Sequence, residues 1–504
     1  MKNKVHLIAY VDRFGGGGLG EFRNLLSGPL RDVFGAVHLL PFFNPVDGAD
    51  AGFDPIDHTQ VDPRLGQWSD IKQLASDVGV MADVIVNHIS DRSEQFLDYS
   101  ANGSASRYMG LILTREAVFP HGIGSQALAA IYRPRPGSPF IEVTLQNGER
   151  VALWVTFTPH QVDIDVRHPL GKSYLSRILA TLAENGVTMV RLDAVGYAIK
   201  KPGTSCFMLP ETFDFIDDLA AEARGLGIEV LVEVHSYFAR QIEIAKHVDW
   251  VYDFALPPLV LHAFFFGTAT YLKDWIRIRP RNAVTVLDTH DGIGIVDIAA
   301  DPQDRAQRPG LVPPEEIDAL VEHIHAASNG ESRLATGAAA SNLDLYQVNC
   351  TFFDAMARDE SRYLLARAIQ FFLPGIPQVY YVGLLAGRND MKLLEGSGVG
   401  RDINRRFYDR SEIVSELQRP VVNDLVELIR LRNDHSAFAG TFAMLDTDRS
   451  SLALRWDNGT AFVELSVNMA TAAYDLSYSA KGGPQKFQLK SAHESSHPFP
   501  DVPS

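Results

Sequence analysis

Short runs of β-branched and apolar residues alternate with longer helix-patterned stretches along most of this chain. That alternation restricts the fold more than any other feature of the sequence. Runs at 5–11, 35–40, 80–86, 188–193, 229–234, 250–255, 283–288 and 378–382 read as strands, and helical patterns at 68–77, 171–185, 211–225, 239–247 and 360–372 lie between them. Strands separated by helices form parallel βα units, because a parallel neighbour is reached only through a crossover connection. Eight such units close an α/β fold of the (β/α)8 TIM-barrel type, whose active site sits at the carboxyl ends of the strands. A six-stranded doubly wound sheet is the alternative that the pattern alone leaves open.

Three interruptions break the repeat. A Pro- and Gly-rich stretch with strand-like runs at 139–157 follows His88, and a second insert with a helical pattern and Pro313-Pro314 follows Gly292. After about His435 the helices stop, and alternating segments such as Ser451–Trp456 and 460–467 imply a small β unit. The expected organisation is a catalytic barrel in three parts (1–87, 168–291 and 356–435), inserted subdomains at 88–167 and 292–355, and a C-terminal β domain at 436–504. A chain of 504 residues exceeds one compact core and accommodates such a division. The last dozen residues are rich in Ser, His and Pro, and poor order is expected there.

Composition narrows the class of partner. A formal net charge of −16 argues against nucleic acid or an anionic membrane surface, both of which call for a basic patch. The two cysteines, Cys206 and Cys350, can form neither a disulfide framework nor a metal-ligand spacing, and read as buried packing residues. The apolar run from Val5 to Val11 is too short for a signal peptide, and no stretch approaches the roughly 20 apolar residues of a membrane span. A cytoplasmic protein is expected.

One motif is a decoy. Gly15–Gly20 satisfies G-x-G-x-x-G after a strand, yet a dinucleotide site also wants an acidic residue at the end of the second strand. That strand runs into His38-Leu39-Leu40-Pro41 with no carboxylate, so the glycines read as a βα turn and no nucleotide cofactor is expected.

The chemistry sits at other strand ends. Val190-Arg191-Leu192-Asp193, Leu231-Val232-Glu233-Val234-His235 and Leu287-Asp288-Thr289-His290-Asp291 close strands four, five and seven, and Asp83–His88 closes strand three. Any one of these carboxylates alone could be a helix cap or a solvated turn. Four polar clusters at successive strand ends converge on one pocket. Retaining cleavage of a glycosidic bond needs one carboxylate as nucleophile and one carboxylic acid as proton donor, about 5–5.5 Å apart. Arg191, on the same strand face as Asp193, could hold it ionised, whereas Glu233 emerges from an apolar strand whose burial would raise its pKa, as a proton donor requires.

The segments Asp83–His88, Arg191–Tyr197, Glu233–His235 and Leu287–Asp291 resemble, in order and at the right strands, the four conserved regions of the α-amylase superfamily. Further stretches resemble its sucrose phosphorylase family: Pro41-Phe42-Phe43 with Asp47–His58, Ile131–Gly137, Ala339–Asn349, and Gly400–Asn404. The resemblance runs from the first strand to about residue 435. It implies Asp193 as nucleophile, Glu233 as general acid/base and Asp291 as transition-state stabiliser, with His88, Arg191, His235 and His290 binding the donor glucose or holding the nucleophile.

It also implies that Asp50 and Arg401 clamp the far end of the glucose, with Phe53 and Tyr197 as apolar walls. Arg135 and Tyr346 would form the phosphate site, and Tyr132, Asp344, Leu345 and Gln347 would line the acceptor side. The implied reaction transfers glucose from sucrose to inorganic phosphate and yields fructose and α-glucose 1-phosphate, with no cofactor and no metal. A homodimer is implied as well. The rivals are phosphorylases of related glucosides (sucrose 6′-phosphate, glucosylglycerol, glucosylglycerate), a hydrolytic α-glucosidase of the same superfamily, and a catalytically dead sugar-binding barrel. The last would be expected to have lost one of the three carboxylates, and all three are present.

Overall fold

A computed structural model describes residues 3–48, 50–133, 137–336 and 347–491; Arg135, Asp344, Leu345 and Tyr346 therefore lie outside the described residues. Eight parallel strands form a closed barrel: β1 (His6–Ala9), β2 (Ala36–Leu39), β3 (Gly79–Ile85), β4 (Met189–Asp193), β5 (Glu229–Val232), β6 (Trp250–Asp253), β7 (Ala283–Thr285) and β8 (Ile376–Tyr380). Each strand lies beside its sequence neighbours, and β1 pairs with both β2 and β8. That closure excludes the doubly wound sheet. Each of the eight runs read as strands overlaps one of these strands; the runs at 80–86 and 378–382 begin one and two residues late.

The strands are legible because a parallel barrel buries both faces of its sheet. Every residue of β1, β2 and β8 is buried, and β3 is buried apart from Gly79 at its start. The surrounding helices are α1 (Gly18–Ser27), α2 (Trp68–Asp77), α3 (Pro169–Glu184), α4 (Pro210–Gly225), α5 (Phe238–Ile244), α6 (Thr270–Ile278), α7 (Glu360–Phe372) and α8 (Pro420–Asp434). Proline opens α3, α4 and α8, where its missing N–H costs nothing and its fixed φ suits the first helical position. The Asp359 side chain accepts from Arg362 N–H and caps α7. At the start of α1 the decoy glycines have a packing role: a Cβ on Gly18 would lie 2.5 Å from the Leu65 carbonyl oxygen.

Between β3 and α3 the chain pairs His88–Ser90 with Gln161–Asp163 and Phe140–Thr144 with Arg150–Trp154. Between β7 and α7 it forms the helix Pro314–Ala327 and a short ladder of Ile293–Gly294 with Gln347–Val348. After α8 come five antiparallel strands, β9 (Thr441–Leu445), β10 (Ser451–Asp457), β11 (Phe462–Asn468), β12 (Tyr474–Ala480) and β13 (Gly483–Lys486). In β11, buried Val463, Leu465 and Val467 alternate with half-buried residues, as a sheet covered on one face requires. Both cysteines are buried and unpaired. Among the described residues no helix is long and apolar enough to cross a bilayer.

Candidate active site

The rim of the barrel is built on a buried ionic row across β2, β3 and β4. Register places Arg191 beside Asp83, and the Arg191 Nη1 lies 2.5 Å from Asp83 Oδ1. Asp83 also receives His38 Nε2 at 3.2 Å. Burial alone would raise Asp83, but His38 and Arg191 outweigh it and hold its pKa down to about 2. The same guanidinium reaches upward to Asp193 Oδ1 at 3.1 Å and to Glu233 Oε1 at 3.7 Å. One arginine with a side chain 2% exposed thus fixes the two carboxylates at the mouths of β4 and β5.

Asp193 ends β4 abruptly, because Ala194 takes a left-handed conformation (φ 57°, ψ 18°) that turns the chain out of the barrel. A non-glycine residue in that region costs about 1–3 kcal/mol, and such strain concentrates at functional sites. Burial pushes the Asp193 carboxyl well up, Arg191 opposes it, and Glu233, Asp83 and Asp291 add to the rise. Burial and three neighbouring carboxylates thus outweigh Arg191, whose guanidinium is already shared with Asp83.

The segment after β7 behaves otherwise. The strand itself ends at Thr285, three residues earlier than the sequence pattern implied, and Leu287–Asp291 lies on the rim beyond it. Burial works to raise Asp291, but Arg401, whose Nη1 sits 2.8 Å from Asp291 Oδ1, prevails with His290, His235 and Arg191 and holds the carboxylate well below its ordinary range. Burial depresses His290 to about 3, so it is a neutral imidazole at neutral pH. Its ring stacks on Phe53 at 4.9 Å and 9°, and the Arg191 guanidinium lies over the same Phe53 ring, 5.5 Å from its centroid. His88, lowered by burial, sits with Nε2 2.9 Å from the Phe53 carbonyl oxygen.

Asp193, Glu233, Asp291, His290, Arg401, Phe53 and His88 line one cavity of about 700 Å³, mouth included, together with Asp50, Tyr197, His235 and Gln347, while Arg191 lies beneath its lining. Of the residues predicted from sequence, Tyr132 stands behind this wall, its ring stacked 4.1 Å from Phe207 and 6.1 Å from Tyr197. Sequence reasoning missed Phe157, Gln161 and Phe207, which also line the cavity. Phe157 and Gln161 arrive on the returning arm of the first insert, and no periodicity marks them. Phe207 is flanked by Cys206 (φ 54°) and Met208 (φ 48°), two more left-handed residues that no local sequence signal announces.

The lining is polar in a particular way. His88 Nδ1, Gln161 Oε1, His290 Nδ1 and Gln347 Nε2 are buried without a hydrogen-bonding partner among the described residues. Buried polar atoms are normally satisfied, so a cavity presenting several suits a ligand carrying many hydroxyls. Donor atoms of Glu233, His235 and Asp291 lie within 4.8 Å of one another. With Arg401 on Asp291, Arg191 near Glu233 and His235 Nδ1 on Asp297, each member of that trio already has an ionic partner in the chain.

A family model of the α-amylase catalytic domain matches residues 33–225. A sucrose phosphorylase of Agrobacterium vitis is 57% identical over 487 residues, covering 95% of this chain and 99% of its own. A sucrose phosphorylase of Bifidobacterium adolescentis is 52% identical over 466 residues, 92% of each chain. The crystal structure of sucrose 6F-phosphate phosphorylase from Thermoanaerobacter thermosaccharolyticum matches with a TM-score of 0.89 at 35% identity, covering 97% of this chain and 98% of that one. Barrel, rim carboxylates and near-complete alignment agree, and the chain belongs to the sucrose phosphorylase family of the α-amylase superfamily.

Proposed function

We propose that this protein transfers glucose from sucrose to inorganic phosphate with retention, giving α-glucose 1-phosphate and fructose. The observation that carries the reading is the pairing of Asp193 and Glu233 on one buried guanidinium at the rim of a polar cavity. In the first displacement Glu233 gives its proton to the bridging oxygen as Asp193 attacks the anomeric carbon, and fructose leaves. In the second, a phosphate oxygen attacks the β-glucosyl ester from the face fructose vacated, and Asp193 departs as carboxylate. For turnover Asp193 must attack as the carboxylate and Glu233 must act as the acid.

Asp291, held ionised by Arg401, stabilises the positive charge that develops at the anomeric carbon. Asp50 and Arg401 hold the glucose hydroxyls, and Phe53 and Tyr197 pack against its apolar faces. Gln347 lies at the acceptor side, where Tyr132 supports the wall. Arg135, Asp344, Leu345 and Tyr346, outside the described residues, complete the phosphate and fructose contacts in this reading. A cytoplasmic homodimer is the setting we infer.

The test is incubation with sucrose, with and without inorganic phosphate, with glucose 1-phosphate, glucose and fructose quantified. Phosphate-dependent glucose 1-phosphate equal to fructose is the expected result. Equal glucose and fructose at the same rate without phosphate would make the protein a hydrolase. No fructose release, with turnover of sucrose 6′-phosphate instead, would favour the activity named for the solved relative.

A further inference from the structure

The cavity lining includes His235, and what holds that ring lies outside the residues assigned so far. His235 Nδ1 is 2.7 Å from Asp297 Oδ2, and Asp297 is completely buried. The other oxygen, Asp297 Oδ1, accepts from Ser236 N–H at 3.0 Å and from Gln241 Nε2 at 3.0 Å. With Oδ1 taken by two donors, Oδ2 is the oxygen left to accept from the ring, which places the proton between the two groups on Nδ1. The ring is also clamped by its stack on Phe254, centroids 3.7 Å apart at 14°. Nε2 is thereby turned to the catalytic rim, 3.8 Å from Glu233 Oε1.

A second feature points to the same contact. A Cβ on Gly294 would lie 2.1 Å from Asp297 Oδ2 and 2.8 Å from His235 Nδ1. Gly294 is not among the glycines with left-handed φ. Glycine is required there because the carboxylate–imidazole contact occupies the space a side chain would take.

We propose that Asp297, on the segment after β7, is a positioning residue for transfer: it fixes the His235 imidazole with Nδ1–H bonded and Nε2 directed at Glu233. This rests on the assignment of Glu233 as acid/base. The groups facing the ring are Asp297 on one nitrogen and Glu233 and Asp291 beyond the other, and all three favour the imidazolium. Burial opposes them, and the His235 pKa is raised on balance. The fixed ring then presents an N–H toward the carboxylate that Glu233 becomes on giving up its proton to the departing fructose. The inserted segment thus reaches the proton donor through one histidine.

The test uses Asp297→Asn and Gly294→Ala. The Asn amide oxygen retains the bonds from Ser236 and Gln241, while its NH₂ offers a donor where the ring needs an acceptor; the Ala methyl displaces the carboxylate. Each variant is assayed on sucrose, whose leaving group needs a proton, and on α-glucosyl fluoride, whose leaving group does not. The expected result is a loss of about tenfold or more in kcat/KM on sucrose, the lower end of what removing the hydrogen-bonding partner of a metal-bound histidine costs, with fluoride release within about threefold of wild type. Equal losses on both substrates, or none on sucrose, would overturn the proposal.

The His235 imidazole titration, followed by NMR and assigned with His235→Asn, is read without substrate. It should lie above about 6.5 in wild type and fall in Asp297→Asn; an unchanged titration refutes the pairing. If wild type released no glucose 1-phosphate from sucrose, the reaction reading would fall, and this titration would still judge the Asp297–His235 contact.

Discussion

Replacing Lys200 by methionine should release the first insert from the barrel. The Lys200 ammonium lies 2.7 Å from Asp163 Oδ2, with the two side chains 1% and 0% exposed. It also donates to Asn87 Oδ1 at 2.8 Å and to the Tyr197 carbonyl, and it sits 5.4 Å from the Trp154 ring. One side chain thus ties the loop carrying Tyr197 to the strand that pairs with His88. Methionine keeps the apolar stem and leaves Asp163 buried without its cation. Breaking a buried pair in this way costs about 3–5 kcal/mol, against about 0–1 kcal/mol for an exposed pair. Lys246–Glu243, 63% and 49% exposed, is the exposed control.

The assay is urea unfolding followed by tryptophan fluorescence, on Lys200→Met, Asp163→Asn and the double variant. Trp154 is buried beside Lys200 and reports on the region. The double variant should lose clearly less than the sum of the singles, because the second change removes a charge the first left stranded. If Lys200→Met stays within about 0.5 kcal/mol of wild type, near the Lys246→Ala control, the reasoning about burial is wrong.

Two further outcomes follow from the electrostatics of the rim. Asp193→Asn should lower sucrose turnover by about 10⁴-fold or more, yet leave unfolding by urea unchanged or slightly strengthened, since the native carboxyl is already raised by burial; substantial residual turnover would remove Asp193 from the nucleophile's role. Burial lowers His58 to about 4, although the Asp83 carbonyl and nearby carboxylates oppose it. A depressed histidine contributes stability above its unfolded pKa of about 6.5 and loses it as pH falls toward 4, which amounts to about 2 kcal/mol between pH 7 and 5. Wild type should therefore weaken over that interval more than His58→Gln does, and parallel pH profiles would contradict the assignment.

Much of this was legible in the sequence for a physical reason. A barrel strand buried on both faces is a largely apolar run, so Leu7–Ala9 and Val230–Val232 announce themselves, and rim residues follow at the ends of such runs. Runs of this kind specify existence better than extent: β7 stops at Thr285 although Val286 and Leu287 continue the apolar pattern, because the chain leaves the ladder to bring His290 and Asp291 over the pocket. Gln161, Phe157 and Asp297 were not legible. Each reaches the site on an insert whose return path depends on tertiary contacts, such as Lys200 with Asp163, and not on any period in the chain. The surroundings of Asp193 were only half legible for a related reason: the sequence shows Arg191 two residues away, but not that Asp83, 108 positions before Arg191, already engages the same guanidinium.

The central claim is that Asp193 attacks the sugar while Glu233 handles the proton. It is tested most directly by treating Glu233→Gln with α-glucosyl fluoride, which needs no proton donor to leave, and mapping the digested protein by mass spectrometry. The account predicts a single hexosyl adduct on the peptide containing Asp193, discharged by added phosphate as α-glucose 1-phosphate. An adduct on another residue, or release of the β-anomer with no adduct, would contradict it.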